Sequence, residues 1–275
     1  MATRFSADAR SLRSWSLWCL GYPDAALADA DRALGDAREI GQAATLMYAL
    51  GIAAPTYLQC GNYAQASAMT DELVSLAEEK GALHWGATAI VTRGLLAILK
   101  GTALEAIQML TSGIAARRSV GGTHWLPLYL SNLSAARSEL GQFADALRCI
   151  GEAMTAVETT KDRCCEAEVY RTAGKISLKS PEPDAAEAQI YFERALAVAR
   201  QQEAKSWELP AAKSMARLWR DQGKRDEARE LLAPVYGWLP RDSAPAISKR
   251  RKHCLLSWRL ERALLWRASR ARRTN

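Results

Sequence analysis

Small apolar residues recur along this chain on a fixed beat. Ala26, Ala66, Ala106 and Ala146 stand 40 residues apart, each five residues after a glycine: Gly21, Gly61, Gly101 and Gly141. Seven residues beyond each alanine come Ala33, Leu73, Gly113 and Ala153, on the same helix face two turns along. Two further copies follow with a slip of two residues, Ala188 with Ala195 and Ala228 with Val235, the second after Gly223. Gly41, Gly81 and Gly121 fall midway, so that seven glycines mark 20-residue intervals. Glycine enters the left-handed conformation that closes a helix without a Cβ clash, so each interval predicts one helix. The recurring small face predicts that the second helix of each pair lies close against the first.

The segments GYPDAAL, GNYAQAS, GTALEAI, GQFADAL and GKRDEAR share a glycine, a short link and a helix start. Acidic residues early in several of them suit the positive end of a helix. The spacing predicts helices over 6–20, 23–40, 43–60, 63–80, 82–100, 103–119, 124–140, 143–159, 163–179, 184–202, 206–222 and 225–237. Two helices per 40 residues predict an all-α, right-handed solenoid of about six antiparallel helix pairs over residues 1–238. Pro23 fits the first turn of its helix. Pro55 falls inside one and is expected to kink it, while Pro127 and Pro210 lie near enough to their starts to be tolerated. KSPEPDAAEA lacks the ruler glycine and predicts a longer, irregular turn.

Composition narrows the functional classes. No run of about 18 apolar residues occurs, so no transmembrane segment is expected. The opening MATRFSADARSLRSW has no apolar signal core, which predicts a cytoplasmic chain. Six cysteines (Cys19, Cys60, Cys149, Cys164, Cys165, Cys254) show neither CxxC spacing nor a secreted-scaffold pattern and read as reduced thiols packed in helices. The net charge of +7 is unevenly placed: 11 Lys and Arg against 2 Asp and Glu follow Trp238, leaving 26 against 28 before it. The repeat body therefore offers no electrostatic case for nucleic acid.

The glycine, the alanine five residues on and the small residue seven further resemble the tetratricopeptide repeat, with 40 residues in place of its usual 34. Repeats of this longer kind occur in large bacterial signalling proteins and MalT-like regulators. ARQQEAKSWELPAAKSMARLWRDQGKRDEARELLAPVYGW is similar to the end of the repeat region in bacterial proteins that carry a class III adenylate or guanylate cyclase domain and an AAA-type ATPase module. LWCLGYPDAAL resembles the opening hairpin of that region. The resemblance implies a detached C-terminal, regulatory piece. Its alternatives are the effector-binding repeats of a MalT-like transcription regulator and a stand-alone adaptor. The chain has no GxxxxGK[ST] phosphate loop and no recognisable cyclase aspartates, so the resemblance brings no catalytic residues with it.

In that family the Gly-Trp dipeptide runs on into Thr-Glu-Gly-Phe and a last helix resembling DLKEAKALL. Codons can be chosen for Leu239 to Arg259 whose shifted frame spells that ending, which implies a single-base slip after Trp238. On this reading residues 239–275 are an out-of-frame basic tail, disordered or loosely helical. Leu231, Leu232 and Val235 of the last hairpin are then expected to lie open to water. Taken at face value, Leu255, Leu256, Trp258, Leu260, Leu264, Leu265 and Trp266 among arginines form instead a basic amphipathic helix.

First helices of the pairs line the concave side of such an array. By analogy with the ordinary repeat, the groove positions of the later half are Ser131, Asn132, Glu168, Arg171, Lys175, Lys213, Arg217 and Arg220. The earlier half offers Tyr48, Thr88, Val91 and Leu95. The basic residues among them suit an acidic peptide or protein partner, bound through charge-assisted hydrogen bonds; solvated surface charge accounts for the same residues. His84-Trp85 and His124-Trp125 stand one repeat apart, with Trp207 near the matching place, and the tryptophans are expected to pack between neighbouring repeats. No nucleophile, base and orienting group assemble, so no enzyme activity, metal or cofactor is expected.

Overall fold

The computed structural model describes residues 3–238; the tail reading falls outside them. Twelve helices make up this span: α1 (Arg4–Leu20), α2 (Pro23–Ile40), α3 (Ala43–Gln59), α4 (Tyr63–Glu79), α5 (Leu83–Lys100), α6 (Ala103–Ser119), α7 (Leu126–Glu139), α8 (Phe143–Thr160), α9 (Glu166–Lys179), α10 (Ala185–Gln201), α11 (Lys205–Asp221) and α12 (Arg225–Trp238). No strand occurs among the described residues. No helix there is long and apolar enough to cross a membrane. The all-α solenoid expected from the glycine spacing is the fold observed.

Gly21 shows how most of the helices stop. Its φ is 91°, its N–H donates to Trp18, and the N–H of Tyr22 reaches back to Leu17 at 2.8 Å. Two orphan carbonyls are thereby satisfied and the chain reverses. The other ruler glycines and Gly223 also have positive φ. Where the ruler lacks glycine, two side-chain-bearing residues adopt the same conformation: Lys161 at φ 58° and Glu203 at φ 54°. The array keeps its turn geometry there at the expense of a Cβ in the left-handed region. Helix starts use other devices. Thr3 and Ser6 form a capping box, and Asp184 accepts the Glu187 N–H at 2.8 Å after the irregular Ser180–Asp184 turn. α3 continues across Pro55, which is buried.

The beat of small residues lies at the seam inside each pair. Ala26, Ala66, Ala106, Ala146 and Ala188 are fully buried, and Ala228 nearly so. At Gly174 a Cβ would stand 2.6 Å from the Phe192 ring, so α9 and α10 approach as closely as they do only because no side chain intervenes. Successive first helices also touch: α1 with α3, α3 with α5, α7 with α9, α9 with α11. That places the first helices on the inside of the curve. The core runs through the first five pairs as one cluster, and a second cluster joins the last two. Contrary to the expectation for an uncapped end, Leu232 and Val235 are buried against α11 in that second cluster, and Leu231 is half-buried.

Candidate ligand-binding face and the seam that closes it

The curve is tight enough to bring its ends together. α1 touches α11, and the contact is aromatic. Trp18 meets Trp207 edge-on with ring centroids 4.8 Å apart, and Trp15 lies 4.9 Å from both Trp18 and Trp125. The Ser206 hydroxyl donates to the Trp18 carbonyl, 188 positions away in the chain. The Trp207 indole N–H donates to the Cys164 carbonyl at 2.9 Å. Trp125 and Trp207 thus pack across the seam onto the first helix rather than onto adjacent repeats alone. Trp85 does pack on its neighbour, edge-on to Tyr48 at 5.9 Å.

Beside the seam sits a buried guanidinium. Arg117 of α6, only 4% exposed, donates to the Thr88 hydroxyl and, at 3.0 Å, to the His124 carbonyl. It also stands 5.5 Å over the Tyr129 ring and 3.4 Å from His84 Nε2. Burial holds the pKa of His84 below the ordinary imidazole value, and the charge of Arg117 adds to that effect. Burial also lowers His124, against the upward pull of Asp162, whose carboxylate is 3.5 Å from His124 Nδ1. Asp162 accepts the Trp125 N–H at 2.7 Å, fixing that residue at φ 60°. His84 is therefore held half-buried beside the seam, whereas the His124 side chain is 62% exposed at its rim. Among the described residues no cluster of His, Cys, Asp and Glu has the arrangement of a metal site.

Thr88, Val91 and Leu95, read from the sequence as groove positions, are buried. Thr88 is taken up by Arg117, and Val91 packs where α6 presents Gly113, so both belong to the interface inside the third pair. Tyr48 remains half-buried. In the later half Ser131 is 1% exposed, so a ligand reaching α7 would meet Asn132, whose amide donates to the Leu128 carbonyl at 2.8 Å.

The charged residues of α9 lie together. Tyr170, Gly174 and Ser177 face α10, where Arg194 covers the Tyr170 ring, a Cβ on Gly174 would meet Phe192, and the Ser177 hydroxyl donates to Glu187. Glu168, Arg171, Lys175 and Lys179 occupy the other side of the helix, which Lys179 joins to α7 through Glu139. Arg171 donates to Glu168 through two nitrogens, one bond at 2.7 Å. Lys175 is half-buried, and burial together with Arg171 lowers its pKa below that of an ordinary lysine. It has no ion-pair or hydrogen-bond partner among the described residues. On α11, Lys213, Arg217 and Arg220 follow one helix face, with Arg217 exposed and Arg220 bonded to Asp221. Sequence reasoning had no signal for the seam, because neither tryptophan spacing nor charge encodes how far the array curls.

No protein-family model matches the chain, and no curated protein matches it by sequence. Solved structures do. RapI in its apo form aligns with 90% of this chain and 85% of its own, at TM-score 0.62 and 15% identity. A Rap protein complexed with Competence and Sporulation Factor aligns at TM-score 0.66 and 11% identity, covering 85% of this chain and 64% of that one. BtubC (BKLC) from P. vanneervenii aligns with 79% of this chain and 94% of its own, at TM-score 0.58 and 19% identity. At these identities the likeness is one of architecture: the chain has the fold of a tetratricopeptide-repeat-like helical solenoid.

Proposed function

We propose that this chain is a non-catalytic scaffold that holds an acidic peptide or protein segment against the inner faces of α7, α9 and α11. The observation that carries this reading is Lys175, a half-buried ammonium without a carboxylate partner, set beside an arginine. Glu168 pairs directly with Arg171 and Glu139 with Lys179, so both act on Lys175 only at a distance, and among the described residues no carboxylate contacts it directly. A ligand carboxylate docked there would offset the cost of desolvating that charge. Lys213 and Arg217, one helix over, extend the cationic strip, and Asn132 adds an amide. The Rap complex with Competence and Sporulation Factor shares this architecture, and it supports a binding role without specifying the ligand.

The finer reading is that the chain forms the regulatory end of a cyclase or ATPase signalling protein, resting on the similarity of residues 199–238 to such repeat regions. A reading frame upstream of this one that encodes cyclase or ATPase motifs would support it; a DNA-binding helix pair there would favour a MalT-like regulator. The binding reading is tested with a fluorescent peptide library sorted by net charge and read by polarisation. Acidic peptides should be retained, and Lys175→Gln, Arg171→Glu and Arg217→Glu should each weaken them about tenfold or more, as loss of a charge-assisted contact does. Unchanged affinity in all three variants would remove the assignment.

A further inference from the structure

Cys164 and Cys165 stand just before α9, Cys165 as its N-cap, with their sulfurs 3.3 Å apart. Hydrogen bonds fix both residues from several sides. The Cys164 carbonyl accepts the Trp207 indole N–H at 2.9 Å, and the Cys165 carbonyl accepts the N–H groups of Glu168 and Val169 at 3.0 and 3.1 Å. The Cys164 thiol donates to Asp162 at 3.1 Å, and the same carboxylate takes the Trp125 N–H. Cys164 is half-buried and Cys165 is 1% exposed, so a small ligand reaches the pair through Cys164.

The geometry points to Cys164 and Cys165 as a chelating dithiol for a trivalent arsenical, such as methylarsonous acid, CH3As(OH)2, closed into one ring through both sulfurs. The Cys164 sulfur bonds to arsenic and displaces one hydroxide, which leaves with the thiol proton as water. Cys165 repeats the step on the second hydroxide. One arsenical and two thiols give one dithiolate ring and two waters, and arsenic stays trivalent. Cys165 keeps its proton until that second step, because its hydrogen bond with Cys164 and its burial hold its pKa well above that of an ordinary thiol.

The sulfur spacing selects this chemistry. With bonds to sulfur of about 2.3 Å, as thiolates make to zinc, sulfurs 3.3 Å apart subtend about 92° at the atom that bridges them. A tetrahedral centre such as zinc would need them about 3.8 Å apart, and a linear one such as monovalent copper about 4.6 Å. Trivalent arsenic is pyramidal, because it carries a lone pair, and holds its ligands near a right angle. A direct sulfur–sulfur bond fits less well: Cα atoms joined by a trans peptide are about 3.8 Å apart, short of the roughly 4.4 to 6.8 Å a relaxed disulfide needs. Ring closure breaks neither the Trp207 nor the Trp125 hydrogen bond. It removes the thiol proton shared with Asp162 and leaves the seam as it stands.

The test reduces the full chain, adds methylarsonous acid, blocks remaining thiols with iodoacetamide and maps a tryptic digest by mass spectrometry. The expected product carries the arsenical on the peptide of residues 164–171, with neither of its thiols alkylated. It should survive excess mercaptoethanol and be removed by dimercaprol, since a single thiol cannot replace a ring closed by two. Cys164→Ser and Cys165→Ser should each lose that resistance, whereas Cys19→Ser and Cys149→Ser should keep it. The folded chain should hold the arsenical about tenfold or more tightly than a synthetic peptide of residues 161–171, because its sulfurs are already placed. Its melting temperature should rise with the arsenical, as for any ligand of the native state. Mapping in the natural chain decides the matter even where a serine variant fails to fold. An adduct on Cys19, Cys60, Cys149 or Cys254 would overturn the proposal, as would one that mercaptoethanol strips. So would equal affinity in the peptide, or a lowered melting temperature.

Discussion

The Trp18 indole of the first helix stands at 84° to the Trp207 indole of the eleventh, with 4.8 Å between ring centroids. Trp207 is 5% exposed and gives its N–H to the Cys164 carbonyl, so a single side chain holds three parts of the chain together. Replacing Trp207 by alanine should cost about 3 to 5 kcal/mol, as for other buried aromatic truncations. The distinguishing readout is hydrogen exchange in α1, which should quicken although the substitution lies in α11. Unaltered protection of α1 would mean that the seam contributes nothing to holding it.

Lys161 and Glu203 occupy the left-handed positions that glycine fills elsewhere in the array. Each carries about 1 to 2 kcal/mol of steric cost, while glycine in their place would cost up to about 1 kcal/mol of extra backbone entropy. The steric relief is the larger quantity. Lys161→Gly and Glu203→Gly should each raise stability by roughly 0.5 to 1 kcal/mol, and Gly101→Val should lower it by about 1 to 2 kcal/mol. Denaturant titration measures all three.

Gly174 and Gly35 are both helical and respond in opposite ways. A Cβ on Gly174 would meet the Phe192 ring at 2.6 Å and the Ala188 carbonyl oxygen at 3.0 Å, whereas one on Gly35 meets nothing within 4 Å. Gly174→Ala should cost about 1 to 3 kcal/mol by overpacking. Gly35→Ala should stabilise by about 0.5 to 1 kcal/mol through helix propensity. A bulky residue at Ala146, fully buried in the same kind of seam, should behave like the first. Equal melting temperatures across these variants would contradict the packing described.

The histidines give the array a dependence on acidity. His84 and His124 have folded-state pKa values below the ordinary imidazole value, because burial and the Arg117 charge oppose their protonation. As the pH falls through about 6.5 the unfolded chain takes up protons that the folded chain refuses, so folding stability decreases in that direction. It is restored as the pH rises above that value. Asp162 works against the shift at His124, whereas no carboxylate opposes the one at His84. Melting temperatures between pH 7.5 and 5.5 should fall for the natural chain and flatten in His84→Asn.

The helices were legible because the turns are. Gly21, Gly61, Gly101 and Gly141 each announce a left-handed stop in the one residue that adopts it cheaply, and the observed boundaries lie within three residues of those expected. Lys161 and Glu203 perform the same task without the marker, so the beat is lost there although the geometry continues. The site was read less fully. Charge on α9 and α11 is visible in the sequence, but burial of Thr88, Val91 and Ser131 depends on which neighbour each helix leans against. The meeting of Trp15 with Trp125, and of Trp18 with Trp207, depends on small rotations summed over several pairs, which no local pattern records.

In an ordinary array each unit depends only on those beside it, and damage at one terminus stays there. The touch between α1 and α11 changes that boundary condition. Shortening either terminus by one hairpin removes half of a shared joint, so the far terminus loosens too, and the ladder melts more nearly as a hoop than as a stack of rungs.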